Sequence, residues 1–113
     1  MLRGEVWWAD LGEPRGTEPA FRRPIVVVQH DRLTASTLST VMVVPLTSNL
    51  GRADAKGNVL LRREETGLPK DSVALACQVI TADKLWLAEH VGSLSPRAQR
   101  KLDEGLTLTL DLA

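Results

Sequence analysis

The chain has 113 residues with 14 basic and 14 acidic side chains, so its formal charge is zero and no global field gathers a polyanion. Any nucleic-acid site must then be a local patch. One cysteine, Cys77, forms no intramolecular disulfide, and two histidines beside it leave too few strong ligands for a typical zinc site. No apolar run approaches the roughly 18 residues of a membrane span. Met1-Leu2-Arg3-Gly4-Glu5 does not read as a signal peptide. The expectation is one cytoplasmic domain over residues 1–113, with no membrane contact and room for one modest core.

Glu5-Val6-Trp7-Trp8-Ala9-Asp10 is rich in strand formers and runs into the turn residues Leu11-Gly12-Glu13-Pro14, so it should be the first strand. Trp7 and Trp8 alternate in facing, which sends at least one into the core. Two glycines and two prolines between Gly12 and Phe21 deny regular structure there. A loop longer than the usual median of about 4–6 residues favours a working loop over a bare connector.

Arg22-Arg23-Pro24-Ile25-Val26-Val27-Val28 sets two guanidiniums and a proline against a β-branched run that must be buried. Proline disfavours the helical region for the residue before it, so Arg23 enters the second strand extended and stiff. A planar fork held this way suits phosphate or carboxylate, although it equally fits a solvated strand end. The second strand should run from Ile25 to about His30, which puts His30 about 20 Å from Arg23 by strand rise and gives it a structural role. Asp31 to Ser36 is polar, compatible with a short helical turn.

Leu38 to Leu46 reads as the third strand and ends in the hydroxyl-rich Thr47-Ser48-Asn49. Gly51 to Gly57 is polar and basic, a mobile loop by composition. Asn58-Val59-Leu60-Leu61 is a short strand, Asp71 to Ile80 a longer one with a bend near Thr81-Ala82-Asp83, and Trp86 to Gly92 closes the sheet. Trp86 suits the core or a dimer surface. Ser95-Pro96 starts a helix with Ser95 as N-cap, running to about Leu110. Ala98, Leu102, Leu106, Thr109 and Leu110 recur at helical spacing and should pack on the sheet. Gly105 costs the helix about 1 kcal/mol against alanine, which points to a close approach at that residue. Short strands with one late helix suggest a small barrel or a strongly bent antiparallel sheet.

Taken in order, Arg3-Gly4-Glu5-Val6-Trp7, Gly16-Thr17-Glu18, Arg23-Pro24-Ile25-Val26-Val27 and Val44-Pro45-Leu46-Thr47-Ser48 resemble the MazF/PemK (Kid) toxin family. Asp71-Ser72-Val73-Ala74-Leu75, Gln78, Thr81, Asp83 and the terminal helix continue the match over nearly the whole chain. The resemblance implies a small SH3-like barrel of the CcdB/MazF type, mainly β with a C-terminal helix, assembled as a homodimer. It also implies a metal-independent endoribonuclease without cofactor that cuts single-stranded RNA at short motifs. A cognate antitoxin would lay its C-terminal segment in the RNA groove.

On this resemblance Arg23 matches the catalytic arginine, Thr47 the catalytic hydroxyl and Glu18 the acidic residue of the loop between the first two strands. RNA supplies its own nucleophile, the 2′-hydroxyl, so the protein must position a phosphate, stabilise its oxygens and help move protons. Arginine, with a pKa above about 12, is an awkward base, which favours Arg23 as phosphate clamp and proton donor and leaves the base unassigned. Glu18 could orient Arg23, accept a proton or bond to RNA, or be a solvated acid. Thr47 could equally cap a turn. Arg15, Arg22, Ser48, Asn49 and Gln78 are candidate substrate contacts, each with an ordinary structural alternative.

Three places depart from the family's pattern. Cys77 stands where several members carry an acid, Ile80 replaces an arginine, and Pro19 replaces a glutamine. These touch specificity more than fold. Competing readings of the same fold are a CcdB-like toxin that binds DNA gyrase, which would not need Arg23 and Thr47, and a degenerate module that only binds an antitoxin peptide.

Overall fold

The computed structural model describes residues 1–13, 16 and 21–112. Its strands are β1 (Glu5–Asp10), β2 (Arg22–Val27), β3 (Thr40–Thr47), β4 (Val59–Leu61), β5 (Ser72–Ala74), β6 (Ile80–Asp83) and β7 (Leu87–Ser93). They form one sheet in the order β4-β5-β3-β2-β1-β7, with β6 added to β3, and every pairing is antiparallel. The chain is mainly β with a C-terminal helix, as expected. Among the described residues the sheet stays open, because its end strands β4 and β7 do not pair with each other.

The β-branched runs make sense once both faces of the sheet are covered. Side chains alternate along a strand, so a strand buried on both sides reads as an unbroken apolar run. In β2, Ile25 and Val27 join Ala9, Val41, Val43, Ala82 and Leu87 on one face. Val26 points the other way, into a cluster with Val6, Val44, Leu46 and Leu61 that is closed by Ala98, Leu102 and Leu106 of α3 (Pro96–Leu110). Ser95 caps that helix, its Oγ accepting the Ala98 N–H at 3.1 Å. Ala98, Leu102, Gly105 and Leu106 are buried, whereas Thr109 and Leu110 are exposed. The last turn therefore does not pack on the sheet as its spacing suggested, and it ends in Asp111 at φ 54°.

β2 lies three residues earlier than the sequence implied, starting at Arg22 and stopping at Val27. Gln29 leaves the ladder and makes its own substitutes for it: its amide nitrogen donates to Thr34 Oγ1 at 3.2 Å and its oxygen accepts the Met42 N–H at 3.3 Å. His30 Nδ1 then accepts the Arg32 N–H at 3.1 Å and caps α1 (Asp31–Thr34). Another short helix, α2 (Arg63–Thr66), had no expectation from sequence; it ends at Gly67, whose φ of 83° suits a residue without Cβ. Arg3 ties the amino terminus down, with its backbone N–H on Asp31, its Nε on the Val28 carbonyl and a 2.9 Å ion pair to Asp103.

Gly105 fulfils its expected role. A Cβ at this position would meet the carbonyl oxygen of Gly57 and Val59 Cγ2 at 3.0 Å, and Gly57, at φ 89°, has little freedom to retreat. Gly105→Ala would gain about 1 kcal/mol of helix propensity but overpacks a backbone contact at a cost of about 1–3 kcal/mol. The expected outcome is a lower urea midpoint; a higher midpoint would show that the contact has room to spare.

Candidate active site

β3 changes partner along its length, and the candidate residues collect where it does. On one edge it pairs with β2 from Val27↔Val43 to Ile25↔Pro45, where the ladder ends. On the other edge it pairs with β6 from Thr40↔Asp83 to Val43↔Ile80, and further on with β5 through Leu46↔Ala74 and Thr47↔Val73. An unbroken ladder from Leu46↔Ala74 would set Val43 against Cys77, yet Val43 faces Ile80. The extra 3 residues, Ala76–Gln78, are extruded as a tight turn closed by the Gln78 N–H on the Leu75 carbonyl at 2.8 Å. The single strand expected from Asp71 to Ile80 is therefore two strands with this turn between them.

Continuing the β2–β3 register two places past Ile25↔Pro45 brings Arg23 level with Thr47. Alternation puts Arg23 on the face of Ile25 and Val27, and Thr47 on that of Val41 and Val43, which is the same face. Both are half-buried. On the far edge of β3 the Leu75 N–H donates to the Pro45 carbonyl at 2.9 Å, which starts the turn carrying half-buried Gln78. Arg23, Thr47 and the turn carrying Gln78 thus belong to the segments that meet where β3 changes partner at Pro45.

Thr47 Oγ1 accepts the Asn49 N–H at 3.2 Å, so the turn-capping role is real. A hydroxyl that accepts keeps its hydrogen to donate, and the cap fixes the oxygen in place. Asn49 Oδ1 accepts the Gly51 N–H at 3.2 Å and caps the 3-10 turn Leu50–Asp54, which gives regular structure to part of the loop expected to be mobile. Ser48 is exposed just beyond Thr47.

Arg22 points to the opposite face from Arg23. Its guanidinium bonds Glu89 Oε2 at 2.9 Å and lies over Trp8, 5.3 Å from the ring centroid. A phosphate would have to compete with that carboxylate for it. Trp7 stacks on His90 with centroids 5.1 Å apart and donates to Glu5 at 3.0 Å. Glu18, Arg15 and Pro19 lie outside the described residues. Among the described residues no group of three or more His, Cys, Asp or Glu side chains is placed to hold a metal ion.

One residue escaped the sequence reading. Asn58 Oδ1 accepts the Cys77 N–H at 3.2 Å while its Nδ2 donates to the Arg52 carbonyl at 3.0 Å. A single amide so holds both the turn that follows Thr47 and the turn that carries Gln78. The only signal in the sequence was an Asn opening a strand, which is a common turn residue.

Residues 2–110 match a family model described as PemK-like, MazF-like toxin of type II toxin-antitoxin system. The chain is 43% identical over 112 residues to Endoribonuclease MazF6 of Mycobacterium tuberculosis, covering 99% of this chain and 98% of that one. To Endoribonuclease MazF9 of the same organism it is 39% identical over 116 residues, with 99% and 98% covered. In fold it is similar to an endoribonuclease in complex with its cognate antitoxin from a mycobacterial species, at TM-score 0.81 and 24% identity, covering 100% of this chain and 97% of that one. It is also similar to MazF from Deinococcus radiodurans, at TM-score 0.80 and 20% identity, with 98% and 96% covered.

Because Asn58 serves two turns through different atoms, its variants should separate them. Asn58→Ala removes both bonds and should cost about 1 kcal/mol of stability while speeding hydrogen exchange at the Cys77 amide. Asn58→Asp keeps the acceptor and should leave that amide protected. Equal exchange rates at Cys77 in both variants and the parent would show that the side chain does not hold the turn.

Proposed function

The chain belongs to the PemK-like, MazF-like toxins of type II toxin-antitoxin systems, whose relatives at 43% identity are named endoribonucleases, and from this premise we propose how it cuts RNA. It acts on single-stranded RNA at short sequence motifs and needs no metal. The 2′-hydroxyl attacks the adjacent phosphorus, an O–P bond forms as the bond to the 5′-oxygen breaks, and the products end in a 2′,3′-cyclic phosphate and a 5′-hydroxyl. The observation that supports this reading is the β2–β3 register, whose continuation two places past its last pair, Ile25↔Pro45, would bring Arg23 level with Thr47 on one face.

Arg23 binds the non-bridging oxygens as a fork and donates a proton toward the leaving oxygen; its stiffness comes from Pro24 behind it. Thr47, held by the Asn49 N–H, adds a hydroxyl bond to the same phosphate. Charge that grows on phosphoryl oxygens is stabilised best by donors that need no rearrangement, which is what a strand end and a capped turn provide. Glu18 orients Arg23 or takes the 2′-hydroxyl proton. Gln78, Ser48 and Asn49 read the flanking bases, and Arg15 contacts phosphate. Arg22 contributes at most an auxiliary contact, since Glu89 holds it. Cys77, Ile80 and Pro19 shift the preferred RNA motif from that of relatives with an acid, an arginine and a glutamine there.

Residues 1–113 act as one toxin domain in the cytoplasm, paired as a homodimer. A cognate antitoxin inhibits it by laying its C-terminal segment in the RNA groove, a partnership supported by the antitoxin complex of similar fold.

The pure protein should cut mixed single-stranded RNA in EDTA, and end mapping should find cyclic phosphates. Activity lost entirely to chelator would contradict the chemistry. Arg23→Ala should lower kcat by roughly 10²–10³, the usual cost of removing a charge-stabilising donor, with an unchanged circular dichroism spectrum. Thr47→Ser should keep more activity than Thr47→Ala; equal rates would remove the hydroxyl from the mechanism.

A further inference from the structure

The two hydrogen bonds of Asn58 belong to a closed ring. Thr47 Oγ1 accepts the Asn49 N–H, the Asn49 carbonyl accepts the Arg52 N–H at 3.1 Å, and the Arg52 carbonyl accepts Asn58 Nδ2. From Asn58 Oδ1 the ring continues through the Cys77 N–H into the turn whose Gln78 N–H reaches the Leu75 carbonyl, and the Leu75 N–H ends on Pro45. Pro45 and Thr47 both lie on β3, so the ring starts and finishes on one strand, and Asn58 is the link that joins one turn to the other.

The chemistry of the link is specific. A backbone N–H only donates and a carbonyl only accepts, so the side chain has to offer an acceptor to Cys77 and a donor to Arg52. Aspartate lacks the donor, and alanine lacks both. The turns need such a link because packing does little for them: Leu50–Asp54 has no buried residue, and in Ala76–Gln78 only Ala76 is buried. Asn58 itself is firmly mounted. Its N–H donates to the Ala55 carbonyl at 3.1 Å, the Gly57 carbonyl before it lies close against α3 at Gly105, and Val59–Leu61 after it pair with β5.

We infer that Asn58 is a positioning residue for base selection: it sets the spacing between Asn49, which opens one turn, and Gln78, which closes the other, and so fixes which RNA sequence the protein prefers. The inference rests on the base-reading roles proposed above for Asn49 and Gln78, and it assigns Asn58 no RNA contact of its own. Spacing governs selectivity because a wrong base is rejected only when the groups around it cannot move to meet it.

The test compares the parent with Asn58→Ala, Asn58→Asp and Gln29→Ala, the last cutting the bonds of another amide, to Thr34 and Met42, toward the other end of β3. A fluorescent 2′-O-methyl RNA 12-mer enriched on the parent from a random pool, and the unselected pool, are bound to each protein; neither carries the nucleophile. Anisotropy gives the ratio of their two dissociation constants. Asn58→Ala should bring that ratio about tenfold closer to one, the upper range of what a net hydrogen bond contributes. Asn58→Asp should fall between, since Cys77 stays held while a carboxylate oxygen faces the Arg52 carbonyl. Gln29→Ala should keep the parental ratio. On RNA that is cut, Asn58→Ala should raise KM for the preferred sequence more than it lowers kcat. An unchanged ratio in Asn58→Ala, equal weakening of both RNAs, a ratio that falls as far in Gln29→Ala, or a parent that does not separate the 12-mer from the pool would each overturn the positioning role. A parent that separates them through Asn58 yet cuts no natural RNA would keep that role and remove only the cutting function.

Discussion

β3 has to satisfy hydrogen-bonding groups on both edges while changing partner at a residue with no N–H. Pro45 is the last place at which β2 pairs with it, and beyond Pro45 the opposite edge passes from β6 to β5. Within a sheet a proline is tolerated where pairing is interrupted. Its carbonyl still needs a donor, and Leu75 supplies one. From this follow the extruded turn Ala76–Gln78, the end of β2 that carries Arg23 past its last pairing with β3, and the turn after Thr47.

The scaffold under this junction is stiff and its rim is not equally so. Ile25, Val26, Val27, Val43, Val44 and Leu46 are all at most 1% exposed, and each such side chain contributes about 1.5–3 kcal/mol by leaving water. The turns at the rim rest on a few hydrogen bonds, among them those to the Asn49 and Asn58 side chains, each worth about 0.5–1.5 kcal/mol net. That difference makes the strand ends, and so the Arg23 and Thr47 backbones, stiffer than the turns carrying Asn49 and Gln78.

The sequence showed the strands, the terminal helix and the family pattern, because β-branched runs and a Ser-Pro helix start are local signals. It also showed why Gly105 has no side chain. What it could not show depends on contacts between distant segments. The early end of β2 comes from Gln29 bonding to Thr34 and Met42, and the break in Asp71 to Ile80 comes from a register difference of two ladders on β3. Asn58 drew no attention because its two partners are brought together only by folding. Arg22 and Arg23 look alike in sequence; alternation across the strand separates them, giving one to Glu89 and Trp8 and the other to the face shared with Thr47.

If Arg23 and Thr47 hold one phosphate, their contributions are not independent. A double-mutant cycle in kcat/KM on RNA, combining Arg23→Ala with Thr47→Ala, measures this directly. The double variant should be scarcely slower than Arg23→Ala alone, since the second donor has little left to act on once the phosphate is no longer held. Losses that simply multiply would show two residues working at separate places, and the junction at Pro45 would then not be the centre of the chemistry.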